Sequence, residues 1–147
     1  MKSRQSSTMP KYRQTIIAEI TSTQRVIFSQ AQEILKPYTK KFEVRVNTTE
    51  HYELWTTHGF RSRSFHPKNH KGFLFAGLVI LKKSVGLYLY ALHLDGKFNE
   101  KMGHEILPLW KGGSAFQLDH PLSNAEYEQF SEVFNEAWVY YKANGWV

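Results

Sequence analysis

The sequence predicts a two-layer α+β domain: an antiparallel sheet of about five strands, mainly in meander order, with an N-terminal and a C-terminal helix on one face. Three observations carry this expectation. Stretches between residues 42 and 93 alternate or run apolar at strand period. The links within them are short, which forces antiparallel pairing. The helical stretches at either end carry one apolar stripe each, enough to cover one side of a sheet. A chain of 147 residues has room for one such domain, assigned here to residues 15–147 after a flexible basic tail over 1–14.

The first helix is expected from about Ser22 to Lys36, where Ile27, Ala31, Ile34, Leu35 and Tyr38 recur at helical spacing. Thr21, Ser22 and Thr23 offer N-cap hydroxyls, and Pro37 should force Lys36 out of helical geometry. "FEVRVNTTEHYELWTT" follows as a hairpin. A turn at Thr48–Thr49–Glu50 pairs Val46 with Tyr52, Arg45 with Glu53 and Val44 with Leu54, so apolar and opposite-charge partners agree on one register.

Two stronger strands are predicted over Gly72–Lys82 and Val85–His93, joined at Lys83–Ser84. That register sets Leu78, Ile80, Leu87 and Leu89 on one face, under the helices. Phe75, Val79, Tyr88 and Tyr90 fall on the other, with Tyr90 covering Gly77. "FNEKMGHEILPLW" reads as short helical turns broken by Gly103 and Pro108, and "SAFQL" as the last strand. The final helix opens on a capping box, Ser123 with Glu126. Its stripe is Tyr127, Phe130, Phe134, Ala137, Trp138 and Tyr141, and Gly145 closes it.

Composition removes several function classes. Without cysteine there is no disulfide, zinc–thiolate site, iron–sulfur ligation or thiol nucleophile. The longest apolar run, Gly72 to Leu81, is about half of what a membrane helix needs. The N-terminal "MKSRQSSTMPKYRQ" has no apolar core of a signal peptide, so a cytoplasmic protein without a membrane partner is expected. Net charge is +6, but residues 1–14 and 59–71 carry four uncompensated cations each, and 11 basic against 13 acidic residues remain elsewhere. With the body near neutral, nucleic acid is not an expected partner.

Chemistry-bearing patterns are sparse. His66 and His70 stand four apart, but Pro67 and Asn69 argue for a loop, and Arg61, Arg63, Lys68 and Lys71 repel a cation; no metal site is assigned. No nucleophile motif or phosphate loop is present, and the glutamates of the last helix read as its solvated side. No catalytic residue or cofactor is expected. The candidate site is the aromatic sheet face, where Arg45, Glu53 and Trp55 of the first hairpin join Tyr88 and Tyr90. It suits an unidentified small molecule or protein. The alternatives are that a second copy covers the Tyr88/Tyr90 face as a homodimer, or that loop 58–71 covers it so that the face is core.

"GLYLYALHLD" (Gly86 to Asp95), "LPLWKGGSAFQL" (Leu107 to Leu118) and "YYKANGWV" (Tyr140 to Val147) resemble the bacterial YdhG-like family. The first hairpin resembles that family's as well, so the likeness spans roughly residues 22–147. The resemblance implies a small α+β domain, mostly of unassigned function. Some relatives are described as frataxin-like iron chaperones, which makes intracellular iron binding the second functional expectation. It stands second because iron favours carboxylate ligands and the sequence has no acidic cluster.

Overall fold

The computed structural model describes residues 19–57 and 72–147. The expectations for the basic tail (1–14) and for the basic loop with His66 and His70 lie outside these residues. The elements run α1 (Ser22–Leu35), a 3-10 turn (Lys36–Tyr38), β1 (Glu43–Asn47), β2 (His51–Trp55), β3 (Leu74–Ile80) and β4 (Val85–Leu89). They continue with a single helical turn α2 (Ala91–Leu94), 3-10 turns at Phe98–Lys101 and Leu107–Leu109, β5 (Ala115–Leu118) and α3 (Asn124–Ala143). The sheet is a five-stranded antiparallel meander in the order β1-β2-β3-β4-β5, as expected.

Both helix starts follow from their capping boxes. Thr21 accepts from the Gln24 amide while Gln24 returns a bond to the Thr21 N–H, and Ser123 and Glu126 do the same for α3. Helix α1 stops at Leu35, but Lys36 keeps helical angles (φ −54°, ψ −40°), contrary to expectation. Pro37 opens a 3-10 turn instead, a position where its missing N–H costs nothing. The α1 stripe buries Ile27, Phe28, Ala31, Ile34 and Leu35. In α3 the buried residues are Glu126, Phe130, Val133, Phe134, Ala137 and Tyr141, whereas Tyr127 is exposed.

Both helices pack on one side of the sheet, against Leu54, Leu78, Ile80, Leu87 and Leu89, all fully buried. Phe130 meets Phe116 edge-on at 4.9 Å, and the Tyr141 hydroxyl donates to the Leu74 carbonyl at 2.6 Å. Among the described residues no helix is long and apolar enough to cross a membrane.

The registers differ from expectation in instructive ways. The β3–β4 turn is centred on Lys82–Lys83, with Leu81 and Ser84 paired, so Leu78 faces Leu87 rather than Leu89. A two-residue slip preserves which side each residue takes, because strand side chains alternate with period two. Lys-Lys is poor turn chemistry, and the turn is held from outside. Gln24, 2% exposed, donates to the carbonyls of Leu81 (2.7 Å) and Ser84 (3.1 Å).

Two bulges change sides as well as partners. In β1 the pairing shifts between Val44 and Val46, so Val44 still faces Leu54, Val46 faces Glu53, and the register passes over Arg45. In β2–β3 it shifts between Leu54 and Trp55, whose partners are Ala76 and Leu74. Phe75, expected on the helix-free face, is left between them and is fully buried on the helix side. There it stacks on Phe42 at 4.1 Å and meets Tyr141 edge-on at 5.2 Å. Strand β4 ends at Leu89, not at His93, because Tyr90 turns helical (φ −69°, ψ −21°) and starts α2.

Candidate functional site

The helix-free face is built on a row of β2. His51, Glu53 and Trp55 lie two residues apart and share a side, and on the neighbouring strands they stand beside Val79, Gly77 and Tyr88. Tyr88 lies flat. A Cβ at Gly77 would sit 3.6 Å from Tyr88 Cδ2, and one at Gly86 only 3.0 Å from Tyr88 Oη. A side chain at Gly86 would crowd the end of the ring, whereas at Gly77 the ring lies at ordinary contact distance over the backbone. The predicted cover of Gly77 therefore exists, supplied by Tyr88 rather than Tyr90. Burial raises the pKa of the Tyr88 phenol, which stays protonated at neutral pH.

Glu53 is the centre of the polar part. Its Oε2 meets His51 Nε2 at 2.7 Å, and its Oε1 accepts from Trp55 Nε1 at 2.8 Å. The hydrogen bond to His51 holds the Glu53 carboxyl below the usual carboxylate range, with Trp55 adding to it against the opposing effect of burial. The Glu53 stem also reaches Gly77, where its Cγ lies 3.9 Å from the Cβ position, so carboxylate stem and Tyr88 ring flank one glycine.

Arg45 does not pair with Glu53, as the sequence suggested. The bulge carries it past that partner. Its Nε donates to Glu43 Oε1 at 2.9 Å, an Nη donates to the Thr56 carbonyl at 3.2 Å, and the guanidinium stacks 4.8 Å over the Trp55 ring. Four of the five candidate residues thus share one face: Arg45, Trp55 and Glu53 in a line of hydrogen bonds and a ring contact, and Tyr88 beside the Glu53 stem over Gly77. Tyr90 does not join them. Its ring lies 6.2 Å from Phe73 and 5.2 Å from His93 at the sheet end, packed on the helix-side core.

The site's missed members are His51, Glu43 and Gly86. The period-two string His51-Glu53-Trp55 was legible and would have found the histidine. Glu43, two residues from Arg45, shares that legibility. That Arg45 turns to it rather than to Glu53 was not legible, because the β1 bulge decides it. Among the described residues no three His, Asp or Glu side chains come together as a metal ion would need. Chemically, the array offers a fixed carboxylate whose two oxygens are both engaged, a stacked guanidinium and two ring surfaces. These are groups for recognition, with polar positions set by the sheet. Compared with protein-family models, curated proteins and solved structures, the chain matches none.

Proposed function

We propose that this chain is a non-catalytic binding or accessory protein that engages a small molecule or protein partner through the face bearing Arg45, Glu53, Trp55 and Tyr88. One observation carries the reading. Glu53, half-buried, is oriented by His51 and Trp55 and sits against a tyrosine laid flat over two glycines. Polar groups positioned this way among aromatic rings are the usual make-up of a recognition surface. The resemblance to the YdhG-like family supports the same reading, since its motifs here are structural. A partner on this face, whether ligand or second copy, would meet Tyr88 but not Tyr90.

Screening a small-molecule library by thermal shift, with Trp55 fluorescence as a second readout, tests this. Hits that stabilise the wild type should lose at least tenfold in affinity on Tyr88→Ala and Glu53→Gln. Hits indifferent to both substitutions would sink the proposal. Iron handling is the alternative, and among the described residues His51 with Glu53 is the His–carboxylate pair on this face that it could use. Calorimetric titration with ferrous iron separates the two: a stoichiometric micromolar site lost in Glu53→Gln would favour iron, whereas no such site is expected.

A further inference from the structure

Glutamines on the two long helices of this protein hold main chain. Gln24 donates to the Leu81 and Ser84 carbonyls at 2.7 and 3.1 Å. Gln30 grips one residue from both sides, accepting from the Leu122 N–H at 2.7 Å and donating to its carbonyl at 3.3 Å. Gln129 accepts from the amides of Glu105 and Ile106 at 2.8 and 3.2 Å. In each case a non-helical segment crosses the helix and is fixed by a carboxamide, which both donates and accepts. Gln32 is the remaining glutamine of α1 and α3. It is half-buried, and its side chain hydrogen-bonds to none of the described residues.

Gln32 stands on the wall of a groove between α1 and the β1–β2 hairpin. The groove is two hollows of about 460 and 220 Å³ that share Gln32 and Asn47. Asn47 ends β1, which has no further strand on its outer side among the described residues. The Asn47 carboxamide also lacks a described partner. Tyr52 lines the smaller hollow, only 6% exposed, and its hydroxyl bonds to none of the described residues. A hydroxyl at the wall of a hollow with no partner among the described residues can take one from outside the fold.

We propose that this groove docks an extended peptide segment of another protein, gripped by Gln32 as Gln30 grips Leu122. The peptide C=O accepts from Gln32 Nε2 and its N–H donates to Oε1, while Asn47 and Tyr52 serve neighbouring peptide groups. Arg25 lines the larger hollow and Lys36 the smaller. Eleven positions apart along helical chain, they are separated by roughly 16 Å, the span of about five extended residues. Glu33 lies between them in the smaller hollow. The chemistry that fits is a polar segment of about five residues with acidic side chains toward its ends and none at its centre. A saccharide would use the same amides, but the three glutamine clamps already present all hold peptide.

The test pans a phage-displayed library of random heptapeptides on the full chain, with the Gln32→Ala chain as counter-selection. Enriched sequences are then synthesised and titrated by calorimetry and by amide NMR. Acidic-flanked peptides should bind the wild type, lose at least tenfold on Gln32→Ala and several-fold on Tyr52→Phe, and shift the Gln32 side-chain amide resonances. Val139→Ala, on exposed α3 surface, should leave binding unchanged. The proposal is overturned by no enrichment over the counter-selection or by peptides that bind Gln32→Ala equally well. It also fails if maltohexaose shifts the Gln32 resonances while no selected peptide does.

Discussion

Tyr88 and Leu89 are adjacent on β4 and point to opposite sides of the sheet, so replacing each by alanine compares the two faces directly. Leu89 is fully exposed to the helix layer and not at all to solvent. Leu89→Ala removes three carbon atoms, about 2.4 kcal/mol at ~0.8 kcal/mol per carbon. A cavity term adds to this, so the total should be about 3–4 kcal/mol, within the roughly 2–5 kcal/mol of such truncations. Tyr88 rests one side of its ring on Gly77 and Gly86. If about half of the ~200 Å² that an aromatic side chain can bury is lost, the transfer cost is about 2.5 kcal/mol at ~25 cal/mol per Å². That is an upper bound, because the unfolded chain already hides part of the ring. With no core cavity left behind, about 1–2 kcal/mol is expected. Urea melts read with constant m-values measure both, and sedimentation follows association. A loss of 3 kcal/mol or more for Tyr88→Ala in a monomer would make that face a second core, and the binding proposal would fall.

Two further outcomes follow from the geometry. His120 bonds Glu126 through Nε2 at 3.0 Å and Asp119 through Nδ1 at 2.9 Å, which raises its pKa. Its contribution should therefore be complete below the unfolded-state value near pH 6.5 and disappear as pH rises through the higher folded value. Because the imidazole is about half exposed, His120→Gln should cost under about 1 kcal/mol at pH 6 and less at pH 9; a difference that does not change with pH refutes the coupling. A methyl group at Gly103 would overlap the Gln129 carboxamide that holds the Glu105 and Ile106 amides. Gly103→Ala should cost about 1–3 kcal/mol, and a neutral result in a thermal melt would show that Gln129 moves aside freely.

Much of the architecture was written locally. The α1 stripe and the Ser123–Glu126 box depend on residues within a few turns, where 3.6-residue spacing and capping chemistry act without help from the rest of the chain. The strand faces survived an error in the β3–β4 register, since a slip of two residues leaves every side chain on its original side. That is why Arg45, Glu53, Trp55 and Tyr88 could be assigned to one face from spacing alone.

What spacing could not decide was where the alternation breaks. The bulge that parts Arg45 from Glu53 and sends it to Glu43 arises between β1 and β2. The bulge that tips Phe75 into the core arises between β2 and β3, where stacking on Phe42 and Tyr141 claims the ring. Tyr90 leaves the strand for a helical turn and packs toward Phe73. The turn at Lys82–Lys83 is held by Gln24, about 60 positions away in the chain. Each of these outcomes rests on burial and hydrogen bonds between groups distant in sequence. Local periodicity fixes which residues can share a side, but only the assembled layers determine which backbone groups and rings must give way to fill the core and satisfy its polar atoms.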